Sequence, residues 1–413
     1  MVCIGAGTAS HSLHSTGVPW SQFILYGFTA DLLEGTAMTP KIAHFLNDAQ
    51  PPTPCMVLDL DVVADNYRCF SAALPDSRIY YAVKANPAPQ ILELLTQLGS
   101  CFDAASVAEI EMVLRAGADA ARISYGNTIK KESDIARAHA LGVDLFAFDS
   151  QPELEKIARQ APGARVFCRI LTSGESADWP LSRKFGCEED MAEALMVQAR
   201  ELDLDPYGIS FHVGSQQRDP GQWDAALGTA GTLFRRLAEQ GIQLRMVNLG
   251  GGFPTRYMKE IPTAEAYGQE IMESLRRHFG NRLPDTIIEP GRGMVGNAGV
   301  IQSEVVLISR KSEADERRWV YLDIGRFGGL AETEGEAIRY PIATPRDGEE
   351  VEPVILAGPT CDSADVMYEK VPYDLPISLT IGDKILIGAT GAYTTTYSSV
   401  AFNGFEPLAE HYL

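Results

Sequence analysis

The chain has 413 residues, and 35 Lys and Arg against 55 Asp and Glu leave a formal charge of −20. That charge repels phosphate backbones and anionic bilayers at long range, so neither nucleic acid nor a membrane surface is expected as its main partner. With 45% hydrophobic and 22% charged residues, the composition is that of a globular protein with room for one large domain and a smaller one.

In chain order, residues 1–40 contain no Lys or Arg. A secretory signal needs a basic start and a transit peptide needs arginines, so neither fits. Residues 1–37 read as an extension that the working protein does not need, with Met38 as its start. Gly5-Ala6-Gly7 lacks the third glycine and the leading strand of a dinucleotide turn. The 7 cysteines are scattered, with no CxxC and no Cys/His cluster. Disulfide scaffolds and zinc sites need repeated short spacings, so no metal and a cytoplasmic location are expected. No apolar run approaches the roughly 20 residues of a membrane helix.

The stretch Pro51–Leu60 predicts a strand, and residues 38–60 are assigned to the smaller domain. From Arg78 one pattern repeats: a short β-branched or aromatic run, a turn, then an amphipathic helix. The runs are Arg78–Lys84, Cys101–Ala104, Ala121–Gly126, Asp144–Asp149, Arg165–Ile170, Tyr207–His212, Leu244–Gly250 and Thr286–Gly291. Between them, stretches such as Val107–Ala118, Lys131–Gly142, Glu188–Asp203 and Trp223–Gly241 carry apolar residues at helical spacing. Apolar strands alternating with helices mean parallel β-structure buried on both faces. Eight such units predict a (β/α)8 barrel over residues 61–298, with an open doubly wound sheet as the alternative. From residue 299 to 413 strands follow one another without helices, punctuated by Gly and Pro, which predicts a C-terminal, mostly antiparallel β domain.

In a barrel of this kind, function gathers where strands end. Those ends offer Lys84, Asp103, Gly126-Asn127, Asp149, Arg169, His212, Gly250-Gly251-Gly252 and Glu289. Any one of them is an ordinary place for a chain to leave the core; the set suggests a polar site. A lysine there, if desolvated, becomes nucleophilic toward a carbonyl, as in a class I aldolase or a pyridoxal phosphate enzyme. The glycines arbitrate. Asn248–Pro254 (NLGGGFP) and Glu289–Gly293 (EPGRG) offer backbone N–H groups that can wrap a phosphate, and His212–Ser215 (HVGS) adds a hydroxyl.

These residues, with YYAVKANP around Lys84, FDAAS around Asp103, GPTCDSAD (Gly358–Asp365), GAYT (Gly391–Thr394) and FNGF (Phe402–Phe405), resemble the fold-type III pyridoxal phosphate-dependent basic amino acid decarboxylases. Within these they are most similar to the ornithine decarboxylases. The match runs in order from about residue 40 to the C-terminus. The resemblance implies a TIM-type barrel plus β domain of the alanine racemase-like kind, pyridoxal 5'-phosphate as cofactor, and a homodimer with shared active sites. It implies that Lys84 holds the cofactor covalently, that His212 stacks on its ring, and that Glu289 faces its pyridine nitrogen. A carboxylate about 4 Å from a pyridinium contributes roughly 4 kcal/mol at an effective dielectric near 20, enough to keep the ring protonated. Ser215, Gly251, Gly252, Arg292 and Tyr393 would hold the phosphate, and Asp103 and Arg169 would support the lysine and ring region. Cys361 would be the proton donor to the α-carbon and Asp362 the carboxylate for the substrate's distal ammonium, both supplied to the partner subunit. Lys184–Gly186 resembles a loop that packs toward the site.

The implied reaction is decarboxylation of L-ornithine to putrescine, with L-lysine to cadaverine as a second reaction. In Phe327–Pro341, where the family carries a further acid for the distal amine, Glu332, Glu334 or Glu336 could serve, and Glu336 is taken as the substrate-binding residue. Two alternatives stand. Diaminopimelate decarboxylase needs an arginine clamp for a distal carboxylate, and its usual Arg-Pro-x-Leu-Tyr stretch is missing. A non-catalytic relative resembling the antizyme inhibitors would lose catalytic or cofactor residues, whereas every matching position here is intact.

Overall fold

The computed structural model describes residues 38–172, 177–179 and 184–413. The expected extension 1–37, with its Gly5-Ala6-Gly7, lies outside the described residues. The first described element is a helix, Pro40–Ala49, whose start is set by Thr39. The Thr39 hydroxyl accepts the Ile42 N–H at 3.2 Å, and Pro40 occupies a first-turn position that needs no donor. Ile42, Ala43 and Leu46 are buried, in one cluster with Met38 and with Cys55 and Val57 of strand β1 (Cys55–Leu58).

Eight strands then close into a barrel: β2 (Ser77–Ala82), β3 (Cys101–Ala104), β4 (Ile123–Tyr125), β5 (Leu145–Phe148), β6 (Arg165–Arg169), β8 (Asp205–Ser210), β10 (Met246–Asn248) and β11 (Asp285–Ile288). Each falls on one of the eight runs read from the sequence. All neighbours are parallel, and β11 pairs back onto β2 in the register Thr286↔Ser77, Ile287↔Arg78 and Ile288↔Ile79. That closing pair excludes the open doubly wound sheet. Tyr80, Phe167, Tyr207, Met246 and Ile287 fill the barrel interior, and β3 and β5 are buried at every position because helices cover their outer faces. Two further strands, β7 (Ala177–Trp179) and β9 (Ser215–Gln217), pair antiparallel outside the barrel.

The helices also fall where the spacing puts them: Val107–Arg115, Glu132–Ala140, Glu189–Glu201 and Gln222–Glu239. The first of these opens with a capping box. Ser106 Oγ accepts the Glu109 N–H at 3.2 Å, and Glu109 Oε2 accepts the Ala105 N–H at 2.7 Å.

The remaining strands are β12 (Gly299–Ser309), β13 (Arg318–Leu322), β14 (Ile342–Ala343), β15 (Val351–Ala357), β16 (Val366–Pro376), β17 (Lys384–Gly388) and β18 (Ala409–Tyr412). With β1 they form one 8-stranded sheet. Most pairs are antiparallel, as expected, but β13–β15 and β1–β18 are parallel. The described residues divide into two compact units, one within 64–254 and 261–294, the other of residues 38–63, 255–260 and 295–413. The division thus falls a few residues inside the expected barrel limits. It also gives Thr255–Glu260 to the sheet unit, where Tyr257 meets Tyr340 edge-on with centroids 5.4 Å apart.

Candidate active site

Parallel staves end on one rim, and the first of them carries Lys84. The turn Val83–Ala85 follows β2, with Val83 and Ala85 buried and Lys84 exposed. Its backbone is pinned from both sides. Ala82 N–H donates to Pro290 O at 3.3 Å, Tyr81 Oη donates to Asn86 O at 2.8 Å, and Asn86 Oδ1 accepts the Ala88 N–H at 3.1 Å. The flanking residues take the buried positions and leave the Lys84 side chain exposed in the single chain. Its charge nonetheless acts on Asp103 and His212.

Asp103, in β3, is buried and accepts the Ser124 hydroxyl at 2.8 Å. Burial and the negative Glu289 push its carboxyl well above the usual range, while Lys84 and Ser124 pull the other way. Gly126 makes room for it, since a Cβ there would stand 1.9 Å from Asp103 Oδ1. Arg169, the last residue of β6, lies over the Phe185 ring at 5.2 Å, and Lys184 lies over the same ring at 4.9 Å. Burial lowers the Arg169 pKa, against the pull of Glu289, Asp149 and Asp103. Asp149 Oδ2 accepts the Gly186 N–H at 2.8 Å, so Lys184–Gly186 is tethered to the rim as expected.

His212 Nδ1 accepts the Gly214 N–H at 3.0 Å, so the neutral ring carries its proton on Nε2. Burial, then Arg169 and Lys84, hold its pKa well below the ordinary range. The glycine turn is forced by sterics. A Cβ would fall 2.1 Å from Phe211 O at Gly250, 2.8 Å from Glu289 O at Gly251 and 2.6 Å from Gly214 O at Gly252. Gly250 and Gly252 have φ of 68° and 103°, which a side chain would strain. Beside the turn, Arg292 is 3% exposed and donates from Nη2 to Ser215 Oγ at 3.3 Å.

Sequence reasoning missed Ser124 and Thr172, and it gave Gly126 only as a strand end and Asn248 only as the start of the glycine motif. Asn248 Nδ2 donates to Glu289 Oε1, and its Oδ1 accepts the Gly250 N–H at 2.9 Å, so one amide orients the carboxylate and the glycine turn together. An Asx turn two residues ahead of a glycine was the available signal. Thr172 Oγ1 donates to His212 O at 2.6 Å. These groups fit pyridoxal phosphate. The unhindered glycine N–H groups, a hydroxyl and a buried guanidinium suit a phosphate dianion, and an oriented carboxylate, a neutral imidazole and a lysine suit an aromatic aldehyde.

The other expected site residues belong to the sheet unit. Cys361 and Asp362 lie exposed in the turn between β15 and β16. Cys361 N–H donates to Asn403 Oδ1 at 2.9 Å, and Asp362 Oδ1 accepts the Ala364 N–H at 2.8 Å. Tyr393 has a φ of 57°, a backbone conformation rarely adopted by bulky residues, and its ring lies 5.4 Å from that of Tyr397. The carboxylate of Glu336, expected at the substrate, instead accepts the N–H groups of Glu369, Lys370 and Val371 at 2.9, 2.6 and 3.0 Å, a structural task. Partial burial would raise its pKa, but these donors and Arg339 outweigh that and lower it. Glu332 is buried, while Glu334 is exposed and pairs with Arg326 at 3.4 Å.

Residues 60–296 match the family model of the pyridoxal-dependent decarboxylase, pyridoxal binding domain. The chain is 35% identical over 359 residues to the lysine/ornithine decarboxylase of Selenomonas ruminantium, covering 86% of this chain and 88% of that protein. It is 33% identical over 400 residues to antizyme inhibitor 2 of Xenopus laevis, covering 94% and 85%. The crystal structure of SrLDC with PLP and cadaverine superposes with a TM-score of 0.81 at 33% identity, covering 91% of this chain and 93% of that one.

Proposed function

The chain belongs to the pyridoxal-dependent decarboxylases, and from that premise we propose that it converts L-ornithine to putrescine and CO2, and L-lysine to cadaverine. The observation that carries decarboxylation is the Glu289 carboxylate held by the Asn248 amide. Pyridoxal phosphate, when bound, supplies an electron sink for the charge left as CO2 departs. Lys84 would hold its aldehyde carbon, and Ser215, Gly251, Gly252 and Arg292 its phosphate. Glu289 would keep a proton on the ring nitrogen. His212, held neutral, would cover the ring face without adding a competing cation. Asp103, with its raised pKa, is suited to stand beside Lys84 without drawing off its reactivity as a full counter-ion.

Cys361 and Asp362 would serve the partner subunit's site, the thiol delivering a proton to the α-carbon and the carboxylate meeting the distal ammonium. Their exposure in the single chain supports that reading, which makes a homodimer the active unit. A substrate with a distal carboxylate would need a cation here instead. Arg326, which is bonded to Ala364 O of this turn at 2.8 Å, is already paired with Glu334. That favours ornithine and lysine over diaminopimelate.

The deciding experiment is CO2 release from ornithine, lysine, arginine and meso-diaminopimelate by the purified protein. We expect turnover of the first two. Activity confined to diaminopimelate would overturn the substrate assignment but not the cofactor. A protein without cofactor absorbance or activity would instead be a regulatory relative, the reading that the similarity to antizyme inhibitor 2 keeps alive. Lys84→Ala should abolish the visible absorbance of the bound cofactor.

A further inference from the structure

The turn that carries Cys361 and Asp362 has little apolar anchorage. Residues 361–364 are exposed, and a cavity of about 430 Å³ lined by Phe327, Thr360, Phe402 and Phe405 lies beside them. Polar ties fix the turn: bonds within it, from Asp365 N–H to Asp362 O and from Gly358 N–H to Asp365 O, and three sets that reach outward or across its base. At its base the Asp365 carboxylate, 2% exposed, accepts the Thr360 N–H at 3.1 Å and the Thr360 hydroxyl at 2.8 Å. Gly325 and Gly358 make room for that carboxylate, since a Cβ at either would come within 2.2 or 2.3 Å of it. At its front, Cys361 is tied by its N–H to Asn403.

The third set comes from one residue. Arg326 donates its backbone N–H to Asp365 Oδ1 at 2.8 Å and its Nη1 to Ala364 O at 2.8 Å, while its Nη2 pairs with Glu334 Oε1 at 3.4 Å. Glu334 belongs to the acidic turn Ala331–Glu336, whose far end is locked through the Glu336 carboxylate to residues 369–371. Arg326 is therefore the side chain that joins the Asp362 turn to a segment already fixed to the sheet.

We propose that Arg326 is a positioning residue for substrate length: by bracing the 361–364 turn against the acidic turn, it sets how far the Asp362 carboxylate stands from the reacting carbon. The inference rests on the reading of Asp362 as the group that meets the distal ammonium. Ornithine and lysine differ by one methylene, which a fixed pocket discriminates by about 10–200-fold. A turn released at Ala364 O accommodates either length, so discrimination falls. The ion pair has a second consequence. Glu334 is partly neutralised by Arg326, which leaves Asp362 as the anion that reads the ammonium, and the position of its turn matters more.

The test is the ratio of kcat/KM for ornithine and lysine in the holoenzyme dimer. Arg326→Ala should bring the two values together by about tenfold, mainly through KM, with cofactor absorbance per subunit unchanged. Arg326→Lys keeps one donor for Ala364 O and should recover part of the discrimination. Glu334→Gln removes the ion pair but not the Ala364 bond, and should give an intermediate ratio even if the alanine variant does not fold. A ratio within twofold of the parent in the variants that fold, or a parent that does not discriminate between the two amino acids, would overturn the proposal while leaving the decarboxylase reading intact. A parent protein that turns over neither amino acid would overturn the reading on which the proposal stands.

Discussion

Gly126→Ala tests whether the Asp103 carboxylate is placed by the absence of a side chain opposite it. The new methyl would lie 1.9, 2.7 and 2.9 Å from Oδ1, Cγ and Oδ2 of Asp103, so the whole carboxyl must move. Asp103 is buried and sits in β3, whose backbone is paired on both sides, so the shift must come from the side chain. Overpacking of this kind costs about 1–3 kcal/mol. Losing the 2.8 Å bond from Ser124 leaves a buried polar pair unsatisfied, at about another 1–3 kcal/mol. The expected destabilisation is therefore about 2–6 kcal/mol in denaturant unfolding, with weaker pyridoxal phosphate retention in the same protein. Asp103→Ala removes the obstruction, so the double variant Asp103→Ala/Gly126→Ala should be destabilised by about 2 kcal/mol less than the sum of the single changes. Additive effects, or a Gly126→Ala protein as stable as the parent, would refute the steric argument.

Lys130→Met should be among the most damaging single changes in the barrel. The ammonium is fully buried, 3.0 Å from Glu153 and bonded to Ala147 O and Asn127 O, and burial pushes its pKa down to about 8 despite Glu153. Breaking such a pair costs about 3–5 kcal/mol when the remaining charge is left alone; Glu153 keeps Lys156 at 2.6 Å, so the loss should fall toward the low end, and adding Glu153→Leu should restore part of it in the same unfolding assay. Glu336→Gln leaves one carbonyl acceptor for three N–H donors. It should cost about 1–3 kcal/mol with no change in the ornithine-to-lysine ratio, whereas an altered ratio would return Glu336 to the substrate. His212 is held neutral in the folded chain, with its pKa below the ordinary value near 6.5, so below that pH the unfolded chain binds a proton that the folded chain does not. Its contribution is intact above about pH 6.5 and falls by up to about 1.4 kcal/mol per unit below it. Asp103 titrates with the opposite sign, so the informative quantity is the difference between parent and His212→Phe, which should lose about one proton from the acid slope. Cys361→Ala should keep the cofactor but lower the amine formed per CO2 released, as measured by product stoichiometry.

The barrel was legible because a parallel strand buried on both faces writes its own signature. Cys101–Ala104 and Leu145–Phe148 are apolar throughout except for Asp103, and the intervening helices keep their spacing. The candidate residues near the stave ends were legible for the same reason, since Asp103 lies within β3 and Lys84, His212 and Glu289 follow their strands within two residues. The second sheet was less so. Its parallel pairs β13–β15 and β1–β18 join segments far apart in the chain, and strand composition says nothing about direction.

What only the tertiary structure decided is which polar groups find each other. Three glutamates within five residues look alike in the chain, yet Glu336 meets N–H groups 33 to 35 positions away, Glu334 meets Arg326, and Glu332 is buried. Asn248 looks like a strand-end amide until the neighbouring stave brings Glu289, 41 positions on, within reach of it. Periodicity and turn chemistry act over a few residues, so sequence alone specifies staves, turns and the list of reactive groups. The partner of a buried or half-buried charge is set by distant chain reversals, and it is this pairing that separates a residue serving the backbone from one left for a substrate.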